Sequence, residues 1–283
     1  MKNKNKSILL MLFSALSFSA MQIIVKLLNN IPLMEKVFFR NFVSLIIAYI
    51  IINKENLRFF GLKENRKHLF YRSIFGYAGV VLFFYTTTQM LAADAAMLNK
   101  LSPIFVTILA HMFLKEKINK IHIAALIISF AGALLVIKPQ LNFSILPAAS
   151  GLLSAVVSGA AYIFITSIGE KESIYTIVFF FSIFSVICCI PFLIFSFVIP
   201  NLPELILLLL LGSLAACGQI AMTYAYKSSP ASEISIYDYS NIIFSSILGY
   251  VFLSELSDFY SIIGGILIIS VSIIVFIYNK KSK

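Results

Sequence analysis

The chain consists of long apolar runs separated by short polar segments. Apolar runs of about 18–25 residues, enough to cross a ~30 Å hydrocarbon core as a helix, recur along the sequence. We place ten of them at 7–28, 34–52, 69–91, 94–113, 121–138, 145–168, 174–195, 204–226, 231–253 and 258–278. The pattern predicts an all-α integral membrane protein with ten transmembrane helices, whose longest connection is a charged loop over 53–68.

Composition supports the membrane assignment. The 283 residues are 60% hydrophobic and 12% charged, whereas a soluble domain is typically about 25% charged. A soluble fold of this length could not cover so much apolar surface. The first run continues to Leu28 and is followed by further apolar runs, which favours a membrane span over a cleaved signal peptide.

The basic residues predict the orientation of the spans. With the N-terminus inside, sixteen of the 22 Lys and Arg residues fall in cytoplasmic segments, whereas Lys36 and Lys138 fall outside. Cytoplasmic loops of membrane proteins carry such an excess. We therefore expect both termini in the cytoplasm and the chain in the plasma (inner) membrane, and the richness in Ile, Lys and Asn favours a bacterium. The net charge of +10 follows this membrane pattern, so nucleic acid is not expected as a partner.

The two halves of the sequence align when one is shifted by 139 residues. The segment "FVTILAHMFLKEK" (105–117) then falls on "FSSILGYVFLSEL" (244–256), and both contain the pattern FL-x-E. Glu116 and Glu255 occupy the last position of that pattern, and we expect both to be architectural.

Five spans in each half is an odd number, so the two copies should cross the membrane in opposite directions. The flanking charges agree, because "LKEKINK" after the fourth run is basic and "LSELSD" after the ninth contains no lysine. We predict a first five-helix repeat over 1–138 and a second, inverted five-helix repeat over 145–278. Inverted repeats typically place a substrate site near the bilayer midplane, which points to a transporter.

Two longer segments resemble a known family. "AADAAMLNKLSPIFVTILAHMFLKEKINKIHIAALIISFAGALLVI" (92–137) and "ASEISIYDYSNIIFSSILGYVFLSELSDFYSIIGGILIISVSIIVF" (231–276) are similar to the repeat of the drug/metabolite transporter superfamily, EamA-like family. Ile242 stands where the first copy has Pro103, which departs from the pattern. The resemblance implies ten helices, two five-helix bundles and a central cavity. It names no substrate, because members are thought to carry amino acids, nucleobases, nucleotide sugars and drugs.

Lys100 lies inside the fourth apolar run, where a lysine costs roughly 2.5–3.5 kcal/mol at the centre of a span. Lys100, Pro103, Thr107 and His111 share one helical face. This polar face favours a substrate-binding role for Lys100. The alternative is a lysine that extends to the membrane surface beside a proline kink.

Arg40 is predicted at a depth similar to that of Lys100. Two cations at one level would suit a carboxylate or phosphate on the substrate, which arginine binds through two parallel hydrogen bonds. The alternative is a salt bridge from Arg40 to Glu35 or Asp94.

Asp238 is the third ionisable residue predicted at depth. It shares a helical face with Ser235, Asn241 and Ser245, and Gln219 lies at a comparable depth. An intramembrane carboxylate can bind a substrate amine or carry a proton, so Asp238 is the candidate for proton coupling. The alternative is an ion pair between helices. Counting along straight helices separates Lys100 from Asp238 by ~10 Å along the membrane normal, which would require strong tilt or a water between them.

Several further residues could line the cavity, although packing is the alternative for each: Tyr85, Tyr239, Asn99 and Gln22. The three cysteines and three histidines show no metal-ligand spacing. We therefore predict no metal, no cofactor and no catalytic residue.

The leading hypothesis is a secondary transporter of a small polar or amphipathic metabolite, most simply an exporter of amino-acid-like compounds that works by alternating access. No GxxxxGK[ST] motif is present, which argues against direct ATP coupling. Its partners are then a small-molecule substrate and the lipid bilayer. Proton or exchange coupling and the oligomeric state stay open. The alternatives are a membrane-embedded enzyme acting on lipids, for which no HExxH or paired aspartates appear, and a lipid-flipping or scaffold protein.

Overall fold

The computed structural model describes residues 2–114, 120–137, 145–228 and 235–281. Within these ranges the chain forms eleven α-helices and no strand, so the all-α fold class is confirmed there. The helices are α1 (Lys2–Leu27), α2 (Leu33–Lys54), α3 (Arg66–Gln89), α4 (Ala92–Asn99), α5 (Ser102–Leu114), α6 (Lys120–Ile137), α7 (Ile145–Ile168), α8 (Ile174–Ser196), α9 (Leu202–Ser228), α10 (Ser240–Leu253) and α11 (Phe259–Lys281). Short 3₁₀ helices cover Lys63–Asn65, Gly169–Lys171 and Ser235–Tyr239.

The helices present apolar side chains to their surroundings. In the described part of the chain, five helical segments are long and apolar enough to cross a membrane: Asn5–Leu27, Lys63–Gln89, Ile145–Ile168, Ile174–Ser196 and Leu202–Ser228. Large side chains such as Phe195 and Ile199 are 89% and 85% exposed. Lipid rather than water accommodates a surface of this kind. The protein is therefore a multi-pass membrane protein.

The predicted span 94–113 is not one continuous helix, which corrects the sequence analysis. Helix α4 ends at Asn99, and α5 begins at Ser102. At the break, the Lys100 N–H donates to the Ala96 carbonyl (2.9 Å) and the Leu101 N–H to the Leu98 carbonyl (3.1 Å). Pro103 lies in the first turn of α5, where a missing N–H costs least, and it could not donate to Asn99 in an unbroken helix.

The counterpart of this run in the second half does not begin as regular α-helix in its described part. The 3₁₀ helix Ser235–Tyr239 precedes α10, which begins at Ser240. Polar residues are dense here, in the sequence SIYDYSN (235–241), and side chains that hydrogen-bond to nearby backbone compete with regular helix. Residues 231–234 of the predicted span lie outside the described residues, as does Glu116.

The major helix contacts join the first half of the chain to the second. Helix α1 packs against α9 and α10, α3 against α7, α2 against α8, and α6 against α11. The core therefore lies between the halves, and a cavity there is lined by both.

Glutamate side chains connect the halves at both ends of the helix bundle. At one end Glu255 forms an ion pair with Lys26 and accepts a hydrogen bond from the Ala92 N–H at the start of α4 (2.8 Å). At the other end Glu172 accepts hydrogen bonds from the Leu62 N–H (2.6 Å) and the Asn65 side chain (2.9 Å). The central region therefore lies between two sets of contacts that each cross from one half to the other.

Candidate functional site

A cavity lies in the middle of the helix bundle and contains about 650 Å³ of empty space, including its opening. Its walls are apolar except for a small set of polar and charged groups. The lining side chains with polar or charged groups are Arg40, Arg72, Asn99, Lys100, Ser158, Tyr162, Gln219 and Asn241. A mostly apolar cavity with a few convergent polar groups is the usual form of a small-molecule site.

Lys100 and Asp238 form an ion pair beside this cavity. The Lys100 Nζ lies 2.7 Å from the Asp238 Oδ2, and both side chains are almost fully buried. The expected ~10 Å separation was therefore wrong. That distance was counted along straight helices, whereas Lys100 follows the end of α4 and Asp238 lies in a 3₁₀ helix. The long lysine side chain spans the remaining distance.

The Asp238 carboxylate is buried and lies next to aromatic residues. Its second oxygen, Oδ1, has no hydrogen-bond partner among the described residues. In the same region, the rings of Tyr162 and Tyr226 stack on each other at 5.1 Å. Among the described residues, Lys100 is the ion-pair partner of this carboxylate, which makes Asp238 sensitive to the loss of Lys100.

Arg40 and Arg72 form a second charged group on the cavity wall. The guanidinium carbons lie 5.6 Å and 4.1 Å from the centroid of the Phe181 ring. Arg40 donates to the Asn41 Oδ1 (2.8 Å) and the Gln219 Oε1 (3.5 Å). The salt bridge from Arg40 to Glu35 or Asp94 that sequence left open does not occur among the described contacts.

Amide side chains complete the polar part of the wall. The Asn99 Nδ2 donates to the Ser154 Oγ (3.0 Å). The Asn241 Nδ2 donates to the Ala15 carbonyl (2.9 Å) and the Ser19 Oγ (2.6 Å), which ties α10 to α1. These amides are held by protein partners, so they are fixed in position around the cavity.

The structure brings together five of the predicted site residues on the cavity wall, and a sixth, Asp238, contacts one of them. The five are Arg40, Asn99, Lys100, Gln219 and Asn241.

The other three predicted residues lie elsewhere. Tyr239 is buried in an apolar cluster with Ala93 and Met97, and Tyr85 does not line the cavity in the described part of the chain. Gln22 donates to the Ala92 carbonyl (2.8 Å) and accepts from the Ser245 hydroxyl (3.2 Å), so it links helices. The side chains of Pro103, Thr107, His111 and Ser235 lie outside what the structure describes.

Sequence reasoning missed Arg72 and Phe181 as lining residues. Arg72 is a single cation near the start of a long apolar run, and a cation in this position is often assigned to the membrane surface. The available signal was Gly76, which lies one turn after Arg72 and makes room for its guanidinium group.

This architecture defines a class of protein: a helical multi-pass membrane protein whose two halves enclose a cavity with buried cations. The model of the EamA-like transporter family matches residues 5–138 and 146–277, and the chain belongs to that family. A crystal structure of another protein superposes with a TM-score of 0.74 over 99% of both chains. At 12% sequence identity, that likeness shows the fold alone.

Relatives along nearly the whole chain are named as transporters. The pseudopaline exporter CntI of Pseudomonas aeruginosa is 31% identical, over 93% of this chain and 93% of its own length. The S-adenosylmethionine uptake transporter of Rickettsia bellii is 25% identical, over 96% of this chain and 93% of its own. Solute carrier family 35 member G1 of Mus musculus is 24% identical, over 92% of this chain and 74% of its own. The chain is accordingly a transporter of small molecules, and it is not an enzyme.

The ion pair yields a stability prediction. Lys100→Met should lower the melting temperature more than the double variant Lys100→Met/Asp238→Asn, because the single change leaves a buried carboxylate without a counter-charge. Breaking a buried pair on one side costs about 3–5 kcal/mol. The chain contains no tryptophan, so tryptophan fluorescence cannot report its unfolding. The folded fraction should instead be measured by size-exclusion chromatography in detergent after heating. If the double variant is as unstable as the sum of the two single variants, the pair contributes no coupling.

Proposed function

We propose that this protein is a secondary transporter that exports a small, amino-acid-like metabolite with an acidic group, by alternating access from the central cavity. The observation that carries the proposal is the pair of buried guanidinium groups, Arg40 and Arg72, on the wall of a cavity lined by both halves of the chain. Buried charges require compensation. A transported anion would supply it, and its acidic group would bind Arg40.

We further propose that the ten apolar runs all cross the membrane and that the halves are inverted repeats. The helix contacts support this arrangement. The proposed repeat pairs α1 with α7 and α3 with α9, so exchanging the two halves turns the α1–α9 contact into an α7–α3 contact, which is also present. The α2–α8 and α6–α11 contacts each join two corresponding helices, so the same exchange leaves them unchanged. A two-fold axis between oppositely directed halves has this property, and it allows the halves to rock about a central site.

One relative and the distribution of charges support the proposed direction and location. The name of the Pseudomonas aeruginosa relative supports export, and the excess of lysine and arginine in the loops supports cytoplasmic termini in a bacterial inner membrane. The polar groups around the cavity argue against a lipid-flipping or scaffold role, which would favour an apolar cavity open to the bilayer.

The substrate site can be tested by transport in proteoliposomes. Amino acids and small organic acids that raise the melting temperature of the purified protein should be transported. Arg40→Gln should reduce that transport at least about tenfold, since a charged hydrogen bond contributes about 1.5–3 kcal/mol. The control is Arg58→Gln, in the exposed loop before α3. If Arg40→Gln transports an acidic substrate as fast as the wild type does, Arg40 is not part of the site.

Asp238 remains our candidate for proton coupling. The Asp238 carboxylate can either hold a proton or bind the amine of an amino-acid-like substrate, so proton and substrate would compete for it, and protons moving inward would be exchanged for substrate moving out. A pH gradient across the vesicle membrane should therefore drive wild-type transport.

Asp238→Asn should still bind substrate but should not respond to the gradient. The double variant Lys100→Met/Asp238→Asn controls for misfolding, and it should also be insensitive. If Asp238→Asn keeps the full pH response, the carboxylate is not the coupling group.

A further inference from the structure

Arg40 and Arg72 contact the same aromatic ring but come from different helices, α2 and α3. Arg72 folds back over Gly76, where an added Cβ would lie 2.0 Å from its Nη1. A side chain at position 76 would therefore occupy the space of the guanidinium group. Gly76 and the Phe181 ring together hold Arg72 against the cavity.

These two guanidinium groups have few hydrogen-bond partners. The Nε and Nη1 of Arg72 and the Nε of Arg40 are buried without a hydrogen-bond partner among the described residues. The two side chains are only 3% and 4% exposed. The partners that Arg40 does have, Asn41 and Gln219, are neutral amides.

The charges around the cavity therefore do not balance. Lys100 is neutralised by Asp238, and none of the other described lining residues is acidic. Within the described lining, no carboxylate compensates the two positive charges of Arg40 and Arg72. A ligand with one carboxylate would neutralise half of this excess.

We propose that the transported metabolite has two acidic groups, as in a dicarboxylate or an amino dicarboxylate, and that Arg72 binds it together with Arg40. This inference rests on the proposed function, in which the cavity is the substrate site. The planar guanidinium group forms two parallel hydrogen bonds to a carboxylate. Apolar residues of the same wall, including Val80, Phe83 and Phe84, would contact the carbon chain between the acidic groups. A phosphate monoester has the same charge and is the other source of this chemistry.

The wild-type protein provides the first test. Its melting temperature should be measured with succinate, L-glutamate, glycerol 3-phosphate, lactate and L-alanine at one ionic strength, with chloride as the reference. Compounds with two acidic charges should raise the melting temperature and bind at least about tenfold more tightly than lactate or alanine. A response to glycerol 3-phosphate without one to succinate or glutamate would overturn the dicarboxylate assignment in favour of the phosphate.

Variants at position 72 provide the second test. Arg72→Gln should weaken the binding and transport of the compounds with two acidic groups at least about tenfold, and should nearly abolish their advantage over lactate. Arg72→Lys should retain part of that advantage, because it keeps the charge but loses the second parallel hydrogen bond. The matched control is Arg66→Gln, an exposed arginine on the same helix.

The outcomes separate this inference from the proposed function. If the wild type transports a monocarboxylate or a neutral amino acid as well as it does any diacid, two acidic groups are not required and only this inference is wrong. Unchanged selectivity in Arg72→Gln would have the same consequence. If none of the compounds is bound or transported, both this inference and the proposed anion site are wrong.

Discussion

The ion pair between Lys100 and Asp238 connects the two halves of the chain where neither is regular α-helix. Lys100 follows the end of α4, and Asp238 lies in the 3₁₀ helix before α10. Each charge alone would be costly in a membrane interior. Their contact therefore fixes the register between the halves, and it places Asn99 and Asn241 on the same cavity wall. The breaks in the helices provide the room that this contact needs.

Elsewhere on the cavity wall, the positive charges of Arg40 and Arg72 have no carboxylate beside them within the described lining. Arg40 and Arg72 are as deeply buried as Lys100, but their contacts are amides and the ring of Phe181. Cation–π contacts and neutral hydrogen bonds partly offset the loss of water around a guanidinium group. They do not neutralise its charge. We propose that these groups, which face the cavity, bind an anionic substrate, and this binding would connect the fold to the transport function.

The sequence predicted the helices better than the contacts between them. Hydropathy located the apolar runs because each must be long enough to cross the bilayer. Arg40 and Lys100 were identified because a charge in an apolar run is costly and therefore informative. The contact from Lys100 to Asp238 was missed because depth along a straight helix ignores helix breaks and the reach of a side chain. Arg72 was missed because its contact with Phe181 comes from another helix, and the one local signal, Gly76, is not recognisable as room for a guanidinium group without the fold.

We propose that an acidic substrate supplies the negative charge that Arg40 and Arg72 lack. The most direct measurement is a structure of the protein in lipid nanodiscs, determined with a transported diacid bound. We expect acidic groups of the ligand within hydrogen-bonding distance of both guanidinium groups, with the Phe181 ring still beside them. A ligand bound elsewhere, or a carboxylate of the protein itself on both arginines, would contradict it.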